Sequence, residues 1–72
     1  MFKSKVRSYL VDGLTEDKAQ AMMASLRGLN EVEGVDVSVS RSTVRVKSRR
    51  DLEDQVRLAC DVAGVKYRTK VL

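Results

Sequence analysis

The chain has 72 residues, with 14 Lys+Arg against 10 Asp+Glu, no Pro, no Trp and a single Cys. At this length one small core is the limit, which leaves little volume for a deep substrate cavity beside it, so a single domain over residues 1–72 is expected. His is absent as well, which excludes Ser-His-Asp and Cys-His relays and imidazole metal ligands; no enzyme is expected. One cysteine closes no intramolecular disulfide, and no apolar run reaches signal-peptide or membrane-spanning length, so the expectation is a cytoplasmic chain without membrane insertion. A composition 43% apolar and 33% charged is that of a folded globule.

Charge is unevenly spread. Residues 1–11 carry Lys3, Lys5 and Arg7 for a net +3, and residues 12–36 carry a net −4 from Asp12, Glu16, Asp17, Glu31, Glu33 and Asp36 against Lys18 and Arg27. From 37 to 72 nine cations oppose four carboxylates, a net +5. Such asymmetry points to an anionic partner for one surface.

Phe2 to Val11 has strand composition, with Val6 and Leu10 on one parity and Tyr9 and Val11 on the other. Either a bulge intervenes or an apolar residue faces solvent. After Gly13, Thr15 followed by Glu16 and Asp17 predicts a capped helix start with acids on the first turn. Ala19, Met22, Met23 and Leu26 then recur on one face of a period-3.6 helix. Gly28 is expected to stop it in the left-handed conformation, with Leu29 folded back. Beyond the acidic linker 30–34, Val35, Val37 and Val39 alternate with polar residues, as do Val44 and Val46, which predicts two strands joined through Ser40-Arg41-Ser42-Thr43. Ser48 with Asp51 reads as a capping box for a second helix whose apolar stripe is Leu52, Val56, Ala59, Cys60 and Ala63, closed by Gly64. A last strand alternates Val65, Tyr67, Thr69 and Val71 with Lys66, Arg68 and Lys70. The order is β-α-β-β-α-β, an α+β, ferredoxin-like split βαβ sandwich with two helices on one face of a four-stranded antiparallel sheet.

Gly13-Leu14-Thr15-Glu16-Asp17-Lys18-Ala19 resembles the metal-binding loop of the heavy-metal-associated domain family, which reads Gly-Met-x-Cys-x-x-Cys. That family includes copper chaperones and the amino-terminal modules of metal-pumping ATPases. The resemblance extends to Val32-Glu33-Gly34-Val35 and to Ala59-Cys60-Asp61-Val62-Ala63-Gly64-Val65, which is similar to the family's Ala-Ile-Glu-x-Ala-Gly-Tyr, so that it covers roughly residues 6 to 68. It implies the split βαβ fold and a metal-transport context. On this alignment Glu16 and Ala19 occupy the positions of the two metal-binding cysteines and Leu14 that of the methionine. Soft copper(I) needs thiolate or thioether donors, so the resemblance implies a scaffold whose metal site is degenerate and which holds no cofactor.

Three carboxylates, Asp12, Glu16 and Asp17, read as first-turn residues, since a hard-cation site needs more oxygen ligands than this loop offers. Cys60, Met22 and Met23 lie on apolar stripes and are expected in the core. In the expected sheet, Arg45, Lys47, Lys66, Arg68 and Lys70 would all project from the open face as an anion- or partner-binding surface. RNA-recognition domains share the element order, and Tyr9-Leu10-Val11-Asp12-Gly13-Leu14 loosely resembles one of their signature strands; Thr43-Val44-Arg45-Val46-Lys47 brings none of the stacking aromatics of the other. The expectation is a monomeric protein-interaction or regulatory module, with an anion- or nucleic-acid-binding module as the alternative.

Overall fold

The computed structural model describes residues 3–71, so the Phe2 end of the expected first strand lies outside the described residues. Strand β1 (Lys5–Asp12) leads into helix α1 (Glu16–Arg27), strands β2 (Val32–Ser38) and β3 (Thr43–Ser48) form a hairpin, and helix α2 (Glu53–Ala63) leads into strand β4 (Lys66–Val71). The four strands make one antiparallel sheet in the order β2-β3-β1-β4. This is the split βαβ sandwich that the element order predicts.

The sheet buries one face only. Tyr9 and Val11 of β1 and Val44 and Val46 of β3 meet Met22 and Leu26 of α1 and Val56, Ala59 and Cys60 of α2 in a single core. Met22, Leu26, Val44, Val56 and Cys60 have no solvent exposure, and each such aliphatic side chain contributes about 1.5–3 kcal/mol on burial. Met22 and Cys60 therefore serve as core residues, as their positions on the apolar stripes predict.

Helix ends show where sequence and structure part. Thr15 caps α1 as expected, its hydroxyl accepting from Lys18 N at 3.3 Å. Gly28, however, sits at φ −72° in the right-handed region, so α1 does not end in a left-handed glycine. Gly64 does, at φ 77°: Val65 N donates to Cys60 O at 2.8 Å and Gly64 N to Asp61 O at 3.3 Å, the paired bonds of a Schellman stop. Ser48 does not cap α2. Its hydroxyl donates to the Arg50 carbonyl at 2.6 Å, and Asp51 accepts from Glu53 N at 3.0 Å in its place.

Two bulges break strict alternation. One lies in β2 between Val32 and Gly34, so the segment 32–34 expected as linker pairs with β3, while Val39 falls in the turn. The other shifts the β1–β4 register between Leu10 and Val11: Val11 pairs with Tyr67 and Leu10 with Thr69, so Arg68 is the extra residue. The inner parity of β4 thus passes from Tyr67 to Lys70, and Thr69 and Val71 turn outward.

Candidate functional site

The β1–α1 loop is built from a glycine turn and a helix start. Gly13 takes φ 78°, which only glycine adopts without strain, and Leu14 packs against the core. Glu16 and Asp17 then lie exposed on the first turn of α1, where the helix dipole favours carboxylates. Ala19 is buried, 6% exposed, with its N–H donating to Thr15 O at 2.7 Å. Lys18 reaches across to the other helix, its ammonium donating to Gly64 O at 3.1 Å. This joins the first turn of α1 to the C-terminal end of α2.

At positions 16 and 19 the loop offers a carboxylate and a methyl group. Cys60 is fully buried in α2, and burial and then Asp61 push its thiol up, which disfavours the thiolate. Among the described residues no group of three or more His, Cys, Asp or Glu is placed to hold a metal ion. The donor set of this loop does not fit a soft metal ion, which binds through thiolate or thioether sulfur.

The five basic residues expected on the open face do not stay together. Arg45 stands opposite Ser8 on β1 and Asp36 on β2; Lys47 stands opposite Val6 and Gly34. Lys66 faces Asp12 across the β1–β4 pair, and Arg68, in the bulge, places Nε 3.5 Å from Asp12 Oδ2. Lys70 leaves the open face altogether. The bulge sets it opposite Tyr9 on the helix side, where its ammonium pairs with the Asp51 carboxylate. That pairing holds Asp51 below the usual carboxylate range and raises Lys70.

Lys70 belongs to a polar seam that sequence reasoning missed. The Tyr9 ring is fully buried and its hydroxyl donates to Asp51 Oδ1 at 3.3 Å; burial first, then Asp51, pushes its pKa up to about 12. Tyr67, tilted against Tyr9 with ring centroids 6.2 Å apart, donates to Glu53, and Arg57 lies 5.4 Å from its ring centroid. Burial and Glu53 raise Tyr67 as well. The available signal was Tyr9 itself, since a buried tyrosine hydroxyl needs a partner. Both tyrosines face the helices, so among the described residues the open face carries no aromatic side chain.

Recesses among the described residues lie at the end of the sheet and on its open face. One of about 510 Å³, lined by Asn30, Glu31, Glu33 and Arg49, lies where the α1–β2 and β3–α2 connections meet; its carboxylates are matched by Arg49 and Arg50. The other, about 270 Å³, lies on the open face and is lined by Val6, Gly34, Val35, Asp36, Arg45 and Lys47.

No protein-family model and no curated protein sequence matches the chain. Solved structures do. The apo-form N-terminal domain of ZntA is 25% identical with a TM-score of 0.83, covering 93% of this chain and 93% of that one. Oxidized MerP from Ralstonia metallidurans CH34 is 16% identical with a TM-score of 0.74, covering 92% of this chain and 96% of its own. The copper(I)-loaded first domain of the human copper chaperone CCS is 17% identical with a TM-score of 0.72, covering 96% of this chain and 99% of its own. The chain is thus a small α+β domain of the ferredoxin-like class. Its structural neighbours are heavy-metal-associated domain proteins, and it has the heavy-metal-associated domain fold. No helix among the described residues is long and apolar enough to cross a membrane.

Proposed function

We propose that this chain is a metal-handling scaffold of the heavy-metal-associated type whose thiolate site is degenerate, and that it works in the cytoplasm as a protein-interaction or regulatory module, without catalysis. The observation that carries this reading is the β1–α1 loop: Glu16 exposed and Ala19 buried at the two positions where the family places cysteines, with the one cysteine of the chain sealed in the core. Its likeness to a copper(I)-loaded chaperone domain supports a metal-transport setting. The test is a titration of the reduced protein with Cu(I), Zn(II) and Cd(II) followed by amide NMR, with Glu16→Cys, Ala19→Cys as the comparison. The wild type is expected to show no saturable shifts over residues 12–19 while the double variant binds. Saturable wild-type binding there would overturn the reading.

The alternative, an anion- or nucleic-acid-binding module, draws less support. Arg45, Lys47 and Lys66 remain on the open face, but Lys70 is paired with Asp51, Arg68 is beside Asp12, and among the described residues no aromatic is there to stack on a base.

A further inference from the structure

We propose that the open face of the sheet carries a docking groove for an acidic protein segment, in which an apolar side chain of the partner sits over Gly34 against Val6 and a partner carboxylate meets Lys47 and Arg45. This rests on the reading above that the chain acts by binding a protein, and names where and what it binds.

The register makes the groove. Gly34, Lys47 and Val6 stand in one row across β2, β3 and β1, and Asp36, Arg45 and Ser8 stand in the next. A glycine inside a strand leaves a gap in the side-chain layer and marks a place where another chain can come close. Among the described residues no side chain covers it: Val6 is 51% exposed, although its apolar side chain gains nothing from water.

Size and charge choose the occupant. At about 270 Å³ the recess lies below the range of roughly 300–1,000 Å³ that small-molecule and cofactor pockets occupy, and suits one or two side chains. Among the described residues neither Arg45 nor Lys47 makes an ion pair; Asp36 stands opposite Arg45, and Lys47 has only Gly34 and Val6 across from it. The rim therefore has cationic charge left for a carboxylate, and the floor is apolar. A nucleic acid would find a carboxylate, Asp36, in the groove and, among the described residues, no ring to stack on.

Gly34 also supplies a clean test. A Cβ built there meets only the Lys47 Cβ, at 3.7 Å, an ordinary contact, and the backbone is not left-handed. The site therefore has room for a Cβ, and Gly34→Val is expected to fill the groove. A random peptide library displayed against the immobilised full chain is expected to enrich sequences that join Asp or Glu to Leu, Ile or Val. The synthetic form of an enriched peptide should then shift the amides of residues 6, 34–36 and 45–47 saturably, and Gly34→Val and Lys47→Glu should each weaken it by about tenfold or more, with an unchanged amide pattern elsewhere. If Gly34→Val does not fold, Lys47→Glu decides alone. The proposal is overturned by no enrichment, a footprint elsewhere, undiminished binding by either folded variant, or an oligothymidylate probe that competes with equal affinity. Groove-dependent self-association in sedimentation equilibrium, through the exposed Leu58 and Val62 beside Asp61 on a second copy, would also overturn it. Metal-induced shifts over residues 12–19 would instead count against the degenerate-site reading and leave this footprint untouched.

Discussion

Tyr9→Phe removes one hydroxyl and keeps the ring that fills the centre of the core. The lost bond runs to Asp51 Oδ1 at 3.3 Å, longer than the 2.7–2.8 Å at which O–H donors ordinarily bond oxygen, and Asp51 keeps Lys70 and Glu53 N. A net loss of about 1 kcal/mol near pH 7 is expected, within the usual range for one intramolecular hydrogen bond. In alkali the order reverses. Tyr9 has its folded pKa raised from 10.0 to about 12, by burial first and then by Asp51. Its contribution is complete below pH 10, where both states hold the proton, and is lost as pH rises toward 12, by about 1.4 kcal/mol per unit. The wild type should match the variant about 0.7 unit above pH 10 and be the less stable of the two, by roughly 1–2 kcal/mol, at pH 12. Tyr67 and the lysines are common to both proteins and cancel in the difference. Urea unfolding followed by far-ultraviolet circular dichroism from pH 7 to 12 reads the two curves. Parallel curves would refute the account of Tyr9 as a buried, hydrogen-bonded phenol, as would a neutral-pH loss above about 3 kcal/mol, which belongs to cavity formation instead.

The two glycines after the helices should respond in opposite directions. Gly64→Ala forces a Cβ into φ 77° and is expected to cost about 1 kcal/mol, whereas Gly28→Ala, at φ −72° with ordinary contacts to Ser25 O and Ala24 O, should be neutral or raise stability by about 0.5 kcal/mol. Thermal unfolding resolves this, because 1 kcal/mol moves the midpoint of so small a domain by about 4–8 °C. Cys60, fully buried with its pKa raised, should react with Ellman's reagent only as fast as the protein opens globally, which is checked by comparing the modification rate across urea concentrations with that of unfolding.

Element order, helix faces and most of the core were legible because periodicity reports which side chains share a face, and that is what burial selects. Met22, Leu26, Val56 and Cys60 are such cases. Bulges were not legible in the same way. An extra residue at Arg68 leaves no mark on an alternating string, yet it moves Lys70 from the solvent face to Asp51 and removes one cation from the expected surface. The capping box of α2 failed for a related reason: whether Ser48 caps depends on what its hydroxyl meets in the fold, and there it meets the Arg50 carbonyl, leaving the helix to start at Leu52 with no side-chain cap from that residue. The β1–α1 loop was legible through its glycine, its Thr15 cap and its resemblance to a known loop. The Gly34 groove was not, because only strand register shows that Val6 and Gly34 share a row with Lys47.

The Lys18 contact with Gly64 bears on how this end of the domain keeps its shape. The ammonium rests on a carbonyl at the negative end of α2, Thr15 fixes the start of α1 and Gly13 turns the chain out of β1, so the helix side of the loop is held by the protein's own groups. Its backbone is a mould set by contacts within the protein. Exchanging the side chains at positions 16 and 19 is therefore expected to leave the mould as it is, which the amide spectrum of the Glu16→Cys, Ala19→Cys variant checks.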